Sequence, residues 1–170
     1  MKQVLVILRG LPASGKSTIA KKLRNFSERI VWLKVDSFKD FFGEGTDEQL
    51  EAANEAALSS LKYLLSKNYS VVMDGVFQDL SYIDRAVKIA GEMGLSFKIF
   101  ELEISLEGAK QRDKSRDGIK EGFREPIADE VLNHILERVS SKDYSGVIKI
   151  DTENNSLEEC IRIVRNHLND

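Results

Sequence analysis

Apolar residues along this chain recur with two periods that replace one another in turn. The run Val4-Leu5-Val6-Ile7-Leu8 predicts a first strand over about 3–9 with both faces buried. Small residues then interrupt it before a helical pattern from about Gly15 to Phe26. Ile30 to Val35 predicts a second strand. From Asp47 to Lys67, the residues Leu50, Ala53, Ala57, Leu61 and Leu65 recur on one helical face. Val71-Val72-Met73 predicts a short buried strand ending at Asp74-Gly75, and Leu80 to Met93 a helix stopped by Gly94. Phe97 to Ile104 predicts strand four, followed by helices at about 106–116 and 127–139. Val147 to Ile150 is the fifth strand and Leu157 to Leu168 the closing helix. Strands alternating with helices predict an α/β fold: a five-stranded parallel sheet with helices on both faces and ligands at the carboxyl ends of the strands.

Composition narrows this little but excludes a good deal. The 170 residues suit one domain, 1–170, and 42% hydrophobic with 31% charged residues is an ordinary balance for a soluble globule. A net charge of -3 supplies no basic field for nucleic acid or an anionic membrane. No run reaches the length of a membrane span, and the apolar start resembles a strand rather than a leader. The single cysteine, Cys160, reads as a small core residue of the last helix and fits a reducing, cytoplasmic setting. His134 and His167 stand far apart, without metal-ligand spacing to Cys160, and no Gly-x-Ser-x-Gly elbow is present.

The chemistry starts where the first strand ends. Gly10-Leu11-Pro12-Ala13-Ser14-Gly15-Lys16-Ser17, followed by Thr18, has the form G-x-x-x-x-G-K-S between a strand and a helix, the context that a phosphate-binding loop requires. Such a loop turns backbone N–H groups and a helix N-terminus toward a β-phosphate. Lys16 would bridge the β- and γ-phosphates and Ser17 Oγ would ligate Mg²⁺. The chain is therefore expected to take a nucleoside triphosphate, ATP, with Mg²⁺, on a P-loop NTPase fold.

Other candidates gather at later strand ends. Asp36, leaving strand two, suits a general base toward an attacking hydroxyl, or a cap on the next helical turn. Asp74, ending strand three, has the loose form of an acid that holds a Mg²⁺ water or contacts the acceptor. Arg112 and Arg116 share one helix face in a cationic stretch with Lys110, Lys114, Lys120 and Arg124, which predicts a short helical lid at about 105–127 with freedom at Gly118 and Gly122. The bland alternative is a solvated charged helix with local pairs such as Glu107 to Gln111.

As a whole the pattern resembles the compact P-loop kinases grouped around polynucleotide 5′-kinases, zeta-toxin-like kinases and small-molecule hydroxyl kinases. The resemblance rests on Gly10 to Thr18, Val35-Asp36 with Lys39, Val71 to Asp74, Arg85, and Arg112-x-x-x-Arg116. It implies Asp36 as the base, Lys39 as a basic acceptor-binding residue and Asp74 as part of the acceptor site. It further implies Arg116 as the lid arginine acting on the phosphates and Arg112 in a nucleotide-binding or structural role. The loop Asp151-Thr152-Glu153-Asn154 would lie near the adenine.

Two departures bear on the acceptor. Gly75-Val76-Phe77-Gln78 replaces the small polar residue and asparagine that many relatives carry after the acid. The segment after Asp36 holds Glu44, Asp47, Glu48 and Glu51 and no arginine, where a nucleic-acid groove gathers cations. Phe38, Phe41 and Phe42 read as core, with base stacking as the alternative. A hydroxylated small molecule is thus expected ahead of a polynucleotide, and no obligate protein partner is legible. A nucleoside monophosphate kinase and a nucleotide-dependent switch ATPase are the remaining alternatives.

Overall fold

Burial along the whole of β1 (Val4–Gly10) follows from its central place in the sheet. The structure, a computed structural model, describes residues 2–42, 45–116, 125–140 and 144–168. Its strands are β1, β2 (Ile30–Lys34), β3 (Ser70–Asp74), β4 (Ser96–Glu103) and β5 (Ile148–Asp151). They form one sheet in the order β2-β3-β1-β4-β5, and every pairing is parallel. The helices are α1 (Lys16–Arg24), α2 (Asp47–Ser66), α3 (Ser81–Glu92), α4 (Leu106–Lys114), α5 (Asp129–Ser140) and α6 (Leu157–Leu168).

Alternate residues of β1 feed two cores. Val4, Val6 and Leu8 pack with Ile19, Leu23 and Val164 of α1 and α6. Leu5 and Ile7 pack with Leu58, Leu61 and Ile83 of α2 and α3. Burying each such side chain contributes about 1.5–3 kcal/mol, which is why a strand apolar at every position belongs in the middle of the sheet. A third cluster, Leu11, Ala109, Ile135 and Val139, seats α4 and α5 against the loop after β1.

Helix starts follow local chemistry. Thr46 and Gln49 form a capping box before α2, and Ser105 Oγ accepts from Gly108 N before α4. The expected strand two ends one residue early, because Val35 opens a 3₁₀ helix, Val35–Phe41, that periodicity did not anticipate. The other boundaries differ from expectation by a residue or two. Lys120, Arg124, Gly118, Gly122 and Glu44 lie outside the described residues. Among those described, no helix is long and apolar enough to cross a membrane.

Candidate active site

The loop between β1 and α1 is shaped by close approach and by backbone angle. A Cβ on Gly10 would meet the Leu102 carbonyl oxygen at 2.5 Å, so β4 leaves no room there for a side chain. Gly15 has φ 96 and open space about it, so its requirement is conformational. Ala13 adds a positive φ of 63. The loop so formed leads into α1, whose N-terminus has no side-chain cap and no acid in its first turn. Its amides and dipole are therefore available to an anion.

Lys16 is buried and donates to Gly10 O at 2.9 Å and Leu11 O at 2.6 Å. Burial pushes its ammonium down to about 8, against the raising influence of Asp74 and Asp36 and with a further lowering by Arg116. Phosphate needs the charged amine. Nucleotide affinity is thus expected to be flat below about pH 8 and to weaken by up to about tenfold per pH unit above it. Folding stability should move the other way. The unfolded lysine keeps its proton up to about 10.5, so between 8 and 10.5 the unfolded state binds more protons and stability rises with pH. Calorimetric titrations and melts on both sides of pH 8 would separate these trends.

Ser17 and Asp74 meet behind the loop. Register places Asp74 beside Leu8 on β1 and Lys34 on β2. Asp74 is 1% exposed, accepts from Trp32 Nε1 at 3.0 Å and stands beside the Ser17 side chain. Burial raises its carboxyl above the usual range, opposed by Ser17, Trp32 and Lys16. A hydroxyl and a carboxylate suit a hard cation such as Mg²⁺, which takes its remaining ligands from water and phosphate.

Asp36 sits in the first turn of the 3₁₀ helix, its Oδ1 accepting from Lys39 Nζ at 2.8 Å. Lys16, Ser17, Asp36, Lys39 and Arg116 line a common cavity of about 680 Å³. A second cavity, about 320 Å³, lies on the other side of the loop, between Ala13, Gly15 and Thr18 and the residues Arg112, Thr152, Asn155 and Leu157. Arg116 lines both. Arg112 donates to the Thr152 carbonyl, which fixes α4 to the loop after β5. Glu153 reinforces that join, accepting from Ser105 N and Oγ at the start of α4. A third cavity, about 370 Å³, holds Glu101, Glu103, Asp151 and Glu153. Its four carboxylates outweigh Lys149 and repel polyphosphate, so the pair of cavities beside the loop is the candidate site.

Sequence reasoning missed several supports of this arrangement. Asp113, 1% exposed, accepts from Ile127 N at 2.8 Å and pairs with Arg116 at 3.3 Å. Arg9, fully buried, binds Glu101 at 2.8 Å and the Val139 carbonyl at 2.7 Å, tying β1 to β4 and to the end of α5. A lone arginine within an apolar strand was the available signal for the latter. Arg85 pairs with Glu55 of α2 and lines none of these three cavities. Of the three phenylalanines expected as core, Phe38 packs against it, whereas Phe41 is 75% exposed and touches Phe38 edge to face. Cys160 is buried as expected, and among the described residues no three His, Cys, Asp or Glu side chains gather where they could hold a metal ion between them.

The AAA domain family model matches residues 5–141. No curated protein matches the sequence. Among solved structures, a sugar kinase from Janibacter sp. HTCC2649 is 17% identical with a TM-score of 0.73, covering 99% of this chain and 95% of its own. A gluconokinase from Sinorhizobium meliloti 1021 is 18% identical with a TM-score of 0.66, covering 95% of this chain and 87% of its own. A chain of the Pnkp1/Rnl/Hen1 RNA repair complex is 21% identical with a TM-score of 0.68, but covers 82% of this chain and 45% of its own. The chain belongs to the AAA domain family AAA_33, and its fold is that of the P-loop kinases.

Proposed function

We propose that this protein is an ATP- and Mg²⁺-dependent kinase that moves the γ-phosphate to a hydroxyl of a small molecule. One observation carries the reading: Lys16, Asp36 and Arg116 face a common cavity at the strand ends. Lys16 and the loop amides hold the β- and γ-phosphates, exchanging the lysine's two carbonyl bonds for charge-assisted ones. Asp36 accepts the acceptor's hydroxyl proton as the oxygen bonds the γ-phosphorus and the bond to the departing diphosphate breaks. Lys39 holds one carboxylate oxygen and leaves the other for that proton. Arg116, between the two cavities, offsets charge on the transferring group, while Arg112 holds the wall beside the nucleoside. Ser17 and Asp74 would hold the Mg²⁺, which when bound neutralises charge on the phosphate oxygens.

The acceptor side favours a small, hydroxylated molecule. Among the described residues, Lys34 and Lys39 there are matched by Asp36 and Asp40, which gives that side little net positive charge for a nucleic-acid backbone. A nucleoside monophosphate would need further arginines for its phosphate, and among the described residues Arg116 is the one arginine lining that cavity. Transfer of label from [γ-³²P]ATP to a panel of sugars, nucleosides, aminoglycosides, nucleotide sugars and 5′-hydroxyl oligonucleotides tests this. Label on one small-molecule class is the expected result. Nucleotide binding with no transfer to any class, and a partner bound only in the nucleotide form, would replace the kinase with a switch ATPase.

A further inference from the structure

We infer that Trp32 is a positioning residue for the metal-binding end of the phosphate loop, acting through Asp74 on Ser17. The inference rests on the kinase reading for the presence of a metal, and otherwise on geometry. Trp32 lies on β2, partly buried on the face covered by α1, with the Arg24 guanidinium 6.0 Å from its ring centroid. Its Nε1–H donates to Asp74 Oδ2 at 3.0 Å, and the same carboxylate stands beside the Ser17 side chain. Three elements, β2, β3 and α1, thus meet at a carboxylate that is 1% exposed.

The chemistry of each group sets the order of control. A serine hydroxyl has one proton and two lone pairs. For its lone pairs to face a cation, the proton must be directed elsewhere, and Asp74 is the acceptor beside it. A carboxylate, however, can swing about its own bonds and offer either oxygen. The indole N–H is a donor only, carried on a rigid ring wedged between α1 and the sheet, so it holds Oδ2 in one place. Water could replace it only by entering a nearly closed site. Partners of this outer kind usually contribute one to two orders of magnitude to metal affinity.

The test is Trp32→Phe, which keeps an aromatic ring on that face and removes the N–H together with the smaller ring that carries it. Affinity for a fluorescent ATP analogue would be measured with EDTA and with Mn²⁺, and bound Mn²⁺ counted by electron paramagnetic resonance. Metal-free affinity is expected to match the unaltered chain, while the gain from Mn²⁺ drops by about tenfold. An unchanged Mn²⁺ gain overturns the inference. Equal loss with and without metal also overturns it, since the tryptophan would then be serving the fold alone. An unaltered chain that binds no nucleotide is a separate result and defeats the kinase reading.

Discussion

Replacing Lys16 with methionine is expected to lower turnover by about three orders of magnitude, with a thermal midpoint no lower than that of the unaltered chain. The two effects have one cause. The ammonium is buried within a loop of carbonyls, and burial has pushed it down to about 8, so folding bears the cost of desolvating its charge. Methionine fills similar space without that cost. In turnover the same charge acts where negative charge collects on the β- and γ-phosphates, and an apolar side chain supplies nothing there. Steady-state rates and differential scanning calorimetry would measure both. A methionine variant that keeps most of its turnover would take Lys16 out of phosphate binding.

Asp36→Asn is expected to reduce turnover by about two to four orders of magnitude and to leave ATP affinity within about twofold of the unaltered chain. Asparagine keeps the shape and still offers an oxygen to Lys39, but it cannot take a proton from an attacking hydroxyl. The phosphate loop is built by Gly10 to Ser17, and the hydrogen bonds that hold Lys16 and Ser14 in it do not involve Asp36. Rapid-mix phosphotransfer set against equilibrium nucleotide binding separates the two quantities. Parallel loss of affinity and turnover would make Asp36 a structural cap for the 3₁₀ helix.

Local pattern made much of this molecule legible. β1 is apolar at five successive positions, Val4 to Leu8, because it lies between two helical layers, and that pattern announces itself. The G-x-x-x-x-G-K-S run is equally plain, since each residue type answers a local demand of backbone angle, close approach or phosphate contact. The 3₁₀ helix after β2 was not legible, because Phe38 and Phe41 share a helical spacing while only Phe38 packs inward. Arg85 carried part of the family resemblance in sequence, yet its partner Glu55 lies thirty positions away on α2. Nothing in the linear pattern identifies that partner.

The chain's sequence by itself determined the alternation of strands and helices and the phosphate loop, because hydrophobic period, glycine and the lysine-serine pair are local properties. Tertiary structure decided what surrounds that loop. Parallel strands are joined by long crossovers, so their order and register emerge only when both faces of the sheet are packed. That packing set β3 beside β1 and brought Asp74 to Ser17 and Trp32. It also brought Thr152 to Arg112 across forty residues. Because α4 ends at Lys114, Arg116 lies past the helix end rather than on the helix face expected to carry both arginines, and the two meet different surroundings. Arg112 is held against Thr152 in the loop after β5, whereas Arg116 pairs with Asp113 and lines both cavities, because each side chain takes the partner that the fold places nearest to it.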